Sequence, residues 1–204
     1  METRLAPESR QFQPRCRGGK YRRAALEKLY GAGAVEKKRR HKLYWSFAEA
    51  GIVLVISAIA WAVSQPLIFA SLGPTAYEVV EQPQMKSART YNVVVGHLVG
   101  LGSGFLGLWI VNAWRVPKLL PSGHLAWDRM WAIALAAIFT TVFNLLLNAG
   151  QPAALSTTLL VALGEMQTFR DALAIMAGVF LIALIGEPVR RARLKVMETH
   201  APSS

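Results

Sequence analysis

The chain has 204 residues, of which 53% are hydrophobic, and it carries a formal net charge of +11 at pH 7. High apolar content together with a strong positive charge is rare in soluble domains of this length and indicates an integral membrane protein. The single cysteine, Cys16, excludes an internal disulfide and a cysteine-based metal cluster.

A basic tail, residues 1–42, precedes the first apolar run. Residues 1–43 hold 13 of the 23 Lys and Arg residues but only four acidic ones. Such a flank predicts a cytoplasmic N-terminus in contact with anionic lipid, and no cleaved signal peptide. A short interfacial helix within residues 21–30 fits this tail, whereas its place beside a span argues against nucleic-acid binding.

Four apolar runs are long enough to cross a bilayer, which needs roughly 20 residues of helix. They cover residues 43–63, 92–114, 127–149 and 169–185. Four spans would leave 20 of the 23 basic residues on the N-terminal side, with both termini in the cytoplasm, and we expect a bacterial inner membrane. Five aromatic residues are predicted at that cytoplasmic interface: Tyr44, Trp45, Trp114, Trp127 and Trp131.

Two shorter apolar segments, residues 66–80 and 152–166, lie between the long runs. As continuous helix each would measure roughly 22 Å, less than a bilayer core of about 30 Å. We therefore predict re-entrant or tilted segments enclosed by the long helices. The alternative is that both short segments also cross the membrane, which gives six crossings. That topology would place 19 basic residues inside, so the distribution of charge does not distinguish six crossings from four. The predicted fold is an all-α membrane domain over residues 43–187, followed by a basic tail over residues 188–204.

The two short segments resemble each other. Each begins Gln-Pro, at Gln65 and Gln151, and Ser71 or Thr157 follows six residues after the glutamine. The offset of 86 residues predicts an internal duplication of helix, short segment and helix, although so short a match can also arise by chance. In transporters, short segments at matching positions of a repeat point to the binding site.

Proline begins both short segments, where a helix tolerates it best, and the N-terminus of a half-helix favours an anion. Hydroxyl and amide donors follow these starts. The predicted substrate pathway therefore includes Ser71, Thr75, Gln151, Thr157 and Thr158. The alternative is that these groups only bond neighbouring helices.

The second long run carries Gly96, Gly100 and Gly104 at four-residue spacing, which predicts close helix packing. His97 lies next to Gly96 inside this run, with Asn92 one turn earlier. An intramembrane histidine is predicted to carry a proton or to donate to substrate, and a bond to a neighbouring helix is the alternative. No ligand spacing in the sequence supports a metal or another cofactor.

Two acidic residues fall within or beside apolar segments. Glu49 lies one turn into the first long run, and Glu78 lies near the end of the first short segment. A carboxylate inside the bundle would repel an anion. We therefore expect Glu49 and Glu78 to pair with a cation such as Arg89 or to bind a coupling proton.

Three stretches resemble the HPP family of integral membrane proteins: "FASLGPTA" at 69–76, "RTYNVVVGHLVG" at 89–100 and "QPAALSTTLLVALG" at 151–164. The most telling element is Asn92, Gly96 and His97. The resemblance implies a four-helix membrane protein that acts as a transporter, and similarity to plant and cyanobacterial members implies nitrite transport. The naming motif His-Pro-Pro reads Gly150-Gln151-Pro152 here, so a role for that histidine does not carry over.

The sequence therefore predicts a small-solute transporter or channel, for nitrite or a similar small anion. Four helices and two short segments make a thin wall for a pathway, which favours a homo-oligomer. The alternative is a helper or scaffold subunit without transport activity. An enzyme is disfavoured, because no nucleophile, base or metal motif appears in the sequence.

Overall fold

The computed structural model describes residues 32–64, 67, 69–116 and 124–199, and it gives the side chains of these residues except 32–39, 41 and 42. The predicted interfacial helix, Cys16, Gln65 and Pro66 lie outside the described residues. The chain divides into two units, Met1–Tyr44 and Trp45–Ser204. Of the first unit only the start of one helix is described, so the site and its packing belong to the second.

The described residues form six α-helices and no strand. The helices are α1 Ala32–Ala62, α2 Leu72–Glu81, α3 Thr90–Ile110, α4 Trp127–Leu146, α5 Ala154–Ala162 and α6 Phe169–Thr199. Four of them, α1, α3, α4 and α6, are long and apolar enough to cross a membrane, which confirms the predicted fold class. Helix α6 continues to Thr199 through most of the segment predicted as a C-terminal tail, because Arg and Lys residues are good helix formers.

Both short segments contain less helix than predicted, ten residues in α2 and nine in α5. Neither helix begins at the Gln-Pro pair. Helix α2 starts at Leu72 and carries Pro74 in its first turn, where an N–H has no partner within the helix. Helix α5 starts two residues after Pro152 and is followed by Gly164, whose φ of +92° belongs to the left-handed region that glycine tolerates.

One end of the bundle, called the Trp45 end, holds the end of α2 and the start of α3. The Oγ of Ser46, beside Trp45, donates to a Glu81 carboxylate oxygen at 3.4 Å, and Arg193 lies 3.9 Å from the same carboxylate. The Oγ1 of Thr90 donates to Glu187 at 3.1 Å, six residues before Arg193 on α6. Helix α1 therefore leaves this end, and α2 returns to it.

The opposite end, called the Arg129 end, holds the end of α3, the start of α4 and the end of α5. The guanidinium of Arg129 donates to the carbonyl oxygens of Ala162 at 2.9 Å, Ala113 at 3.3 Å and Val116 at 2.5 Å. Helix α4 then runs back to the Trp45 end, where the hydroxyl of Tyr91 donates to the carbonyl of Leu147 at 3.1 Å.

The chain thus passes between the two ends six times. The short segments run from one end to the other and do not turn back midway, so they are tilted segments and not re-entrant ones. Length misled the prediction because it assumed the 1.5 Å rise per residue of a continuous helix, whereas part of each short segment lies outside its helix. The predicted placement of Trp114, Trp127 and Trp131 at the same interface as Trp45 is wrong, since they lie at the Arg129 end.

Each half of the domain, α1–α3 and α4–α6, contains three passes. Because three is an odd number, the second half begins at the end opposite to the first, and the two halves run in opposite directions. The glycine contacts confirm that the halves are equivalent. A Cβ on Gly96 would meet the carbonyl oxygen of Ala149, and one on Gly178 would meet that of Leu67. Gly178 lies 82 residues after Gly96, and Leu67 lies 82 residues before Ala149, so the second contact is the first one with the halves exchanged.

A second pair of contacts repeats the same displacement. A Cβ on Gly104 would lie 2.7 Å from Val161, and one on Gly186 would lie 2.9 Å from Val79. The predicted register of 86 residues is therefore wrong by four. The connection after α1 has two more residues than the one after α4, and the two Gln-Pro pairs stand at different places in these connections.

Candidate substrate site

The first turns of α2 and α5 meet in the interior of the bundle. Ser71, which precedes α2, and Thr157, the fourth residue of α5, lie with their hydroxyl oxygens 2.8 Å apart. Both side chains are fully buried. Thr75 is the fourth residue of α2 and is therefore the counterpart of Thr157 in the repeat, 82 residues earlier.

His97 of α3 joins these two equivalent threonines. Its Nε2 lies 2.9 Å from the Oγ1 of Thr75, and its Nδ1 lies 2.7 Å from the Oγ1 of Thr157. The imidazole is fully buried. The counterpart of His97 in the second half is Val179, so the histidine is present on one side of the repeat alone.

The directions of the hydrogen bonds around His97 follow from the backbone carbonyl of Ser71, which can only accept. Thr75 donates to the backbone oxygen of Ser71 at 2.9 Å, so its hydroxyl accepts from Nε2–H of His97. A neutral imidazole has one N–H, so Nδ1 accepts from the hydroxyl of Thr157. Ser71 must then donate to Thr157. The four residues Ser71, Thr157, His97 and Thr75 form a closed ring of donors and acceptors, here called the polar ring.

Every hydroxyl and N–H hydrogen of the polar ring is used within the ring. The ring contains no carboxylate that would balance an imidazolium, which favours neutral His97. Since all four side chains are buried and in direct contact, a solute can bind between them only after the ring opens. The structure is therefore a closed conformation at this level of the bundle.

The two half-helices direct partial positive charge toward the polar ring. An α-helix carries about half a positive charge at its N-terminus and half a negative charge at its C-terminus. The C-terminal ends are balanced by cations, because Arg129 donates to Ala162 at the end of α5, while Arg190 donates to Pro83 at 3.0 Å just after α2. At the N-terminal ends the first N–H groups donate to preceding backbone carbonyls, and no ion pair with a described residue lies there. The aligned peptide dipoles therefore still favour a negative charge at the centre of the bundle.

Thr158 lies beside the polar ring and bonds to another helix. Its Oγ1 is 2.7 Å from that of Thr140 on α4, and each hydroxyl also lies within hydrogen-bond distance of the carbonyl four residues earlier. Because a hydroxyl has one hydrogen, one threonine donates to the other and the second donates to its carbonyl. Asn144 lies one turn further along α4 and has a buried Oδ1 without a partner. Sequence reasoning missed Thr140 and Asn144, although a polar residue every four positions on an apolar helix is a signal for one polar face.

Three other predicted pathway residues lie between the polar ring and the Trp45 end. Asn92 donates to the carbonyl of Gly150 at 3.3 Å. Gln151 is buried against Gly96, the neighbour of His97. Glu78 is half-buried, one turn after Thr75 in α2.

The expected pairing of Glu78 and Glu49 with Arg89 is not found among the described residues. Arg89 is exposed at the start of α3, and none of the ion pairs in the described part of the chain includes it or Glu78. Glu49 lies near Glu81 at the Trp45 end, away from the polar ring. The carboxyl of Glu78 instead lies beside the side chains of Ser87 and Gln151.

The glycines of α3 allow its backbone to approach α5, as their spacing predicts. A Cβ on Gly100 would lie 2.5 Å from the carbonyl oxygen of Ala154, the first residue of α5. Packing of this kind stabilises helix pairs in lipid, where apolar burial adds little. It also holds His97 against Thr157.

Comparison with known proteins identifies a family for almost the whole of this domain. The described residues contain no group of three or more His, Cys, Asp or Glu side chains that could hold a metal ion. No curated protein and no solved structure matches the chain. The family model "HPP, transmembrane region" matches residues 35–195, which include most of α1 and α6, the other four helices and the whole polar ring. The chain therefore belongs to the HPP family of membrane proteins.

Proposed function

We propose that this protein carries a small anion across the membrane and that the anion binds where the polar ring opens. The observation that carries the proposal is the meeting of two half-helix N-termini at a buried cluster of hydroxyls and one imidazole. Backbone N–H groups and aligned peptide dipoles at such termini bind anions.

The inverted repeat supports a carrier mechanism. Two halves of equivalent structure and opposite direction can exchange their conformations, so that the same central site faces first one side and then the other. The closed polar ring corresponds to the state between these two. Because every hydroxyl and N–H of the polar ring is satisfied in this state, the empty carrier can close without leaving groups of the ring unpaired.

The first substrate to test is nitrite, which the family resemblance suggests. A small planar oxyanion accepts hydrogen bonds on more than one oxygen, and Ser71, Thr157 and Thr75 can turn their hydroxyl hydrogens toward it once His97 moves. We assign the Trp45 end to the cytoplasm. That end holds Lys86, Arg89 and three arginines of α6, Arg190, Arg191 and Arg193, and the basic tail precedes Trp45 in the chain.

The test is uptake of nitrite by liposomes that contain the purified full-length protein, compared with protein-free liposomes. Nitrate, formate and chloride are added as competitors. His97→Ala and the double variant Thr157→Val with Thr158→Val are expected to reduce uptake at least tenfold without loss of membrane insertion. The matched controls are His124→Ala and Thr141→Val, whose side chains are exposed.

Uptake that persists unchanged in both ring variants would contradict the assignment of the site. No flux of any of these anions through folded wild-type protein would contradict the carrier itself. In that case a helper or scaffold subunit is favoured, and a stoichiometric partner should copurify in mild detergent.

A further inference from the structure

A group of buried polar atoms without partners lies between the polar ring and the Trp45 end. Both amide atoms of Gln151, Oε1 and Nε2, lack a hydrogen-bond partner, and so does Oε2 of Glu78. Gln151 is only 3% exposed. A buried amide left unpaired costs about 1–3 kcal/mol for each group, so such a pair calls for a missing ligand.

The chemistry of the two side chains indicates which ligand is missing. The carboxyl of Glu78 lies beside the amide of Gln151. The carboxamide of Gln151 has one acceptor side, Oε1, and one donor side, Nε2. An ionised Glu78 carboxylate only accepts hydrogen bonds, so it would leave Oε1 of Gln151 facing a negative oxygen. A protonated carboxyl offers one donor and one acceptor. A single proton on Glu78 can therefore satisfy all three unpartnered atoms.

The surrounding charges also favour a neutral carboxyl at this position. Glu78 lies in the last turn of α2, where the helix dipole is negative. Of the cations at this end, Arg190 bonds Glu187 and Pro83, and Arg193 lies against Glu81 and the ring of Trp45. Also at this end are the half-buried Glu49 on α1 and several exposed charged residues, namely Lys86, Arg89, Arg191, Lys195 and Glu198. His97 of α3 is held in the polar ring.

A metal cation fits these side chains less well than a proton. The neighbouring side chains supply the carboxylate, one amide oxygen and the hydroxyl of Ser87, whereas cations that prefer oxygen take about six ligands. The Nε2 of Gln151 would also point a donor at the cation.

We propose that Glu78 and Gln151 form the binding site of a coupling proton, held as a carboxylic acid that donates to Oε1 of Gln151 and accepts from its Nε2. This inference rests on the proposed anion carrier. In the cycle, the Glu78 carboxylate takes up one proton first, in the empty carrier, and one anion then enters the polar ring as the ring opens. Both leave on the other side, so that the pair moves without net charge and the empty carrier returns with Glu78 ionised.

The position of the site explains how the two events can be coupled. Gln151 packs against Gly96, the neighbour of His97, and Glu78 follows Thr75 by one helical turn. Loss of the proton would leave Gln151 against a carboxylate, which favours separation of α2 from the start of α5. Those are the two elements that the polar ring joins. Glu78, and not His97, is the proton site, because both nitrogens of His97 already have partners in the ring.

Two transport assays on Glu78→Gln test the proposal. A proton gradient of about one pH unit should drive about tenfold accumulation of nitrite by the wild type if one proton moves per anion. Protein-free vesicles correct for passive entry of the undissociated acid. Glu78→Gln should lose accumulation, with a ratio of about one, yet retain exchange of labelled for unlabelled nitrite at equal pH on both sides. Glu81→Gln, in the same helix, should behave as the wild type.

A swapped pair provides the rescue. The double variant Glu78→Gln with Gln151→Glu restores one carboxyl and one carboxamide and should restore accumulation. Accumulation by Glu78→Gln equal to that of the wild type would overturn the proposal, and so would loss of exchange together with accumulation.

Infrared spectroscopy tests the proton site without transport. Wild-type protein in membranes near neutral pH should show the carbonyl band of a protonated carboxyl, which disappears in Glu78→Gln and persists in Glu81→Gln. This band in a protein without nitrite flux would contradict the proposed function but support the proton site. Nitrite flux without the band would contradict the proton site alone.

Discussion

The two halves of the molecule share their packing but not their chemistry. Gly96 and Gly104 in the first half and Gly178 and Gly186 in the second make equivalent contacts. The polar residues lack such counterparts. His97 corresponds to Val179, Ser71 to Ala153, Glu78 to Leu160 and Gln151 to Phe69. A symmetric scaffold therefore surrounds an asymmetric centre, which is expected if the scaffold supplies the conformational exchange and the centre supplies selectivity.

The largest effect is expected at the Arg129 end, where the side chain of Arg129 caps the C-terminus of α5. Arg129→Met should lower stability by about 3 kcal/mol or more, because three carbonyl oxygens lose a charged donor in a buried place. The midpoint of thermal unfolding in detergent should fall by about 6–12 °C. The control is Arg115→Met, whose side chain is exposed. Equal midpoints in the two variants would contradict the role of Arg129 as the cap of α5.

The equivalence of the halves can be tested at the glycines. Gly96→Val and Gly178→Val should each cost about 1–3 kcal/mol, since their side chains would meet the carbonyl oxygens of Ala149 and Leu67. Gly102→Val should cost little, because nothing lies within 4 Å of its Cβ. The measurement is the yield of monodisperse protein on gel filtration after heating. A harmless change at one of the two positions would break the proposed equivalence.

The asymmetry of the centre can be removed by His97→Val, which copies Val179. The hydroxyls of Thr75 and Thr157 would each lose a partner, at a cost of about 1 kcal/mol per bond. We expect folded protein with a modestly lower unfolding midpoint and with nitrite uptake reduced at least tenfold. Normal uptake by this variant would indicate that the imidazole is only a packing residue.

The smallest expected effect distinguishes the two equivalent threonines. Thr157→Val should be more destabilising than Thr75→Val by about 1 kcal/mol, because Thr157 joins two side chains of the ring. Thr75 joins one side chain and a carbonyl that also accepts from a backbone N–H. Unfolding midpoints of the two variants, with the exposed Thr141→Val as a reference, test the order. The reverse order would contradict the assigned hydrogen-bond directions.

Much of the fold could be predicted from the sequence, since a long apolar helix is a local property. The four long helices followed from hydropathy, and His97, Ser71, Thr75 and Thr157 stood out as polar residues in apolar surroundings. The six-pass path did not follow. The length argument assumed continuous helix, whereas each short segment also contains residues outside its helix. The predicted register was also wrong, because it aligned the two Gln-Pro pairs, whereas Val79 and Val161 are the residues in equivalent positions.

The sequence by itself determined that the protein lies in a membrane, which segments are helical and which polar residues are buried in apolar segments. These properties depend on the composition of single segments and on the cost of placing polar groups in hydrocarbon. Only the tertiary structure decided that the halves run in opposite directions, that His97 lies between equivalent threonines, and that Gln151 faces Glu78. Those arrangements depend on contacts between residues 22 to 86 positions apart, which no local pattern specifies.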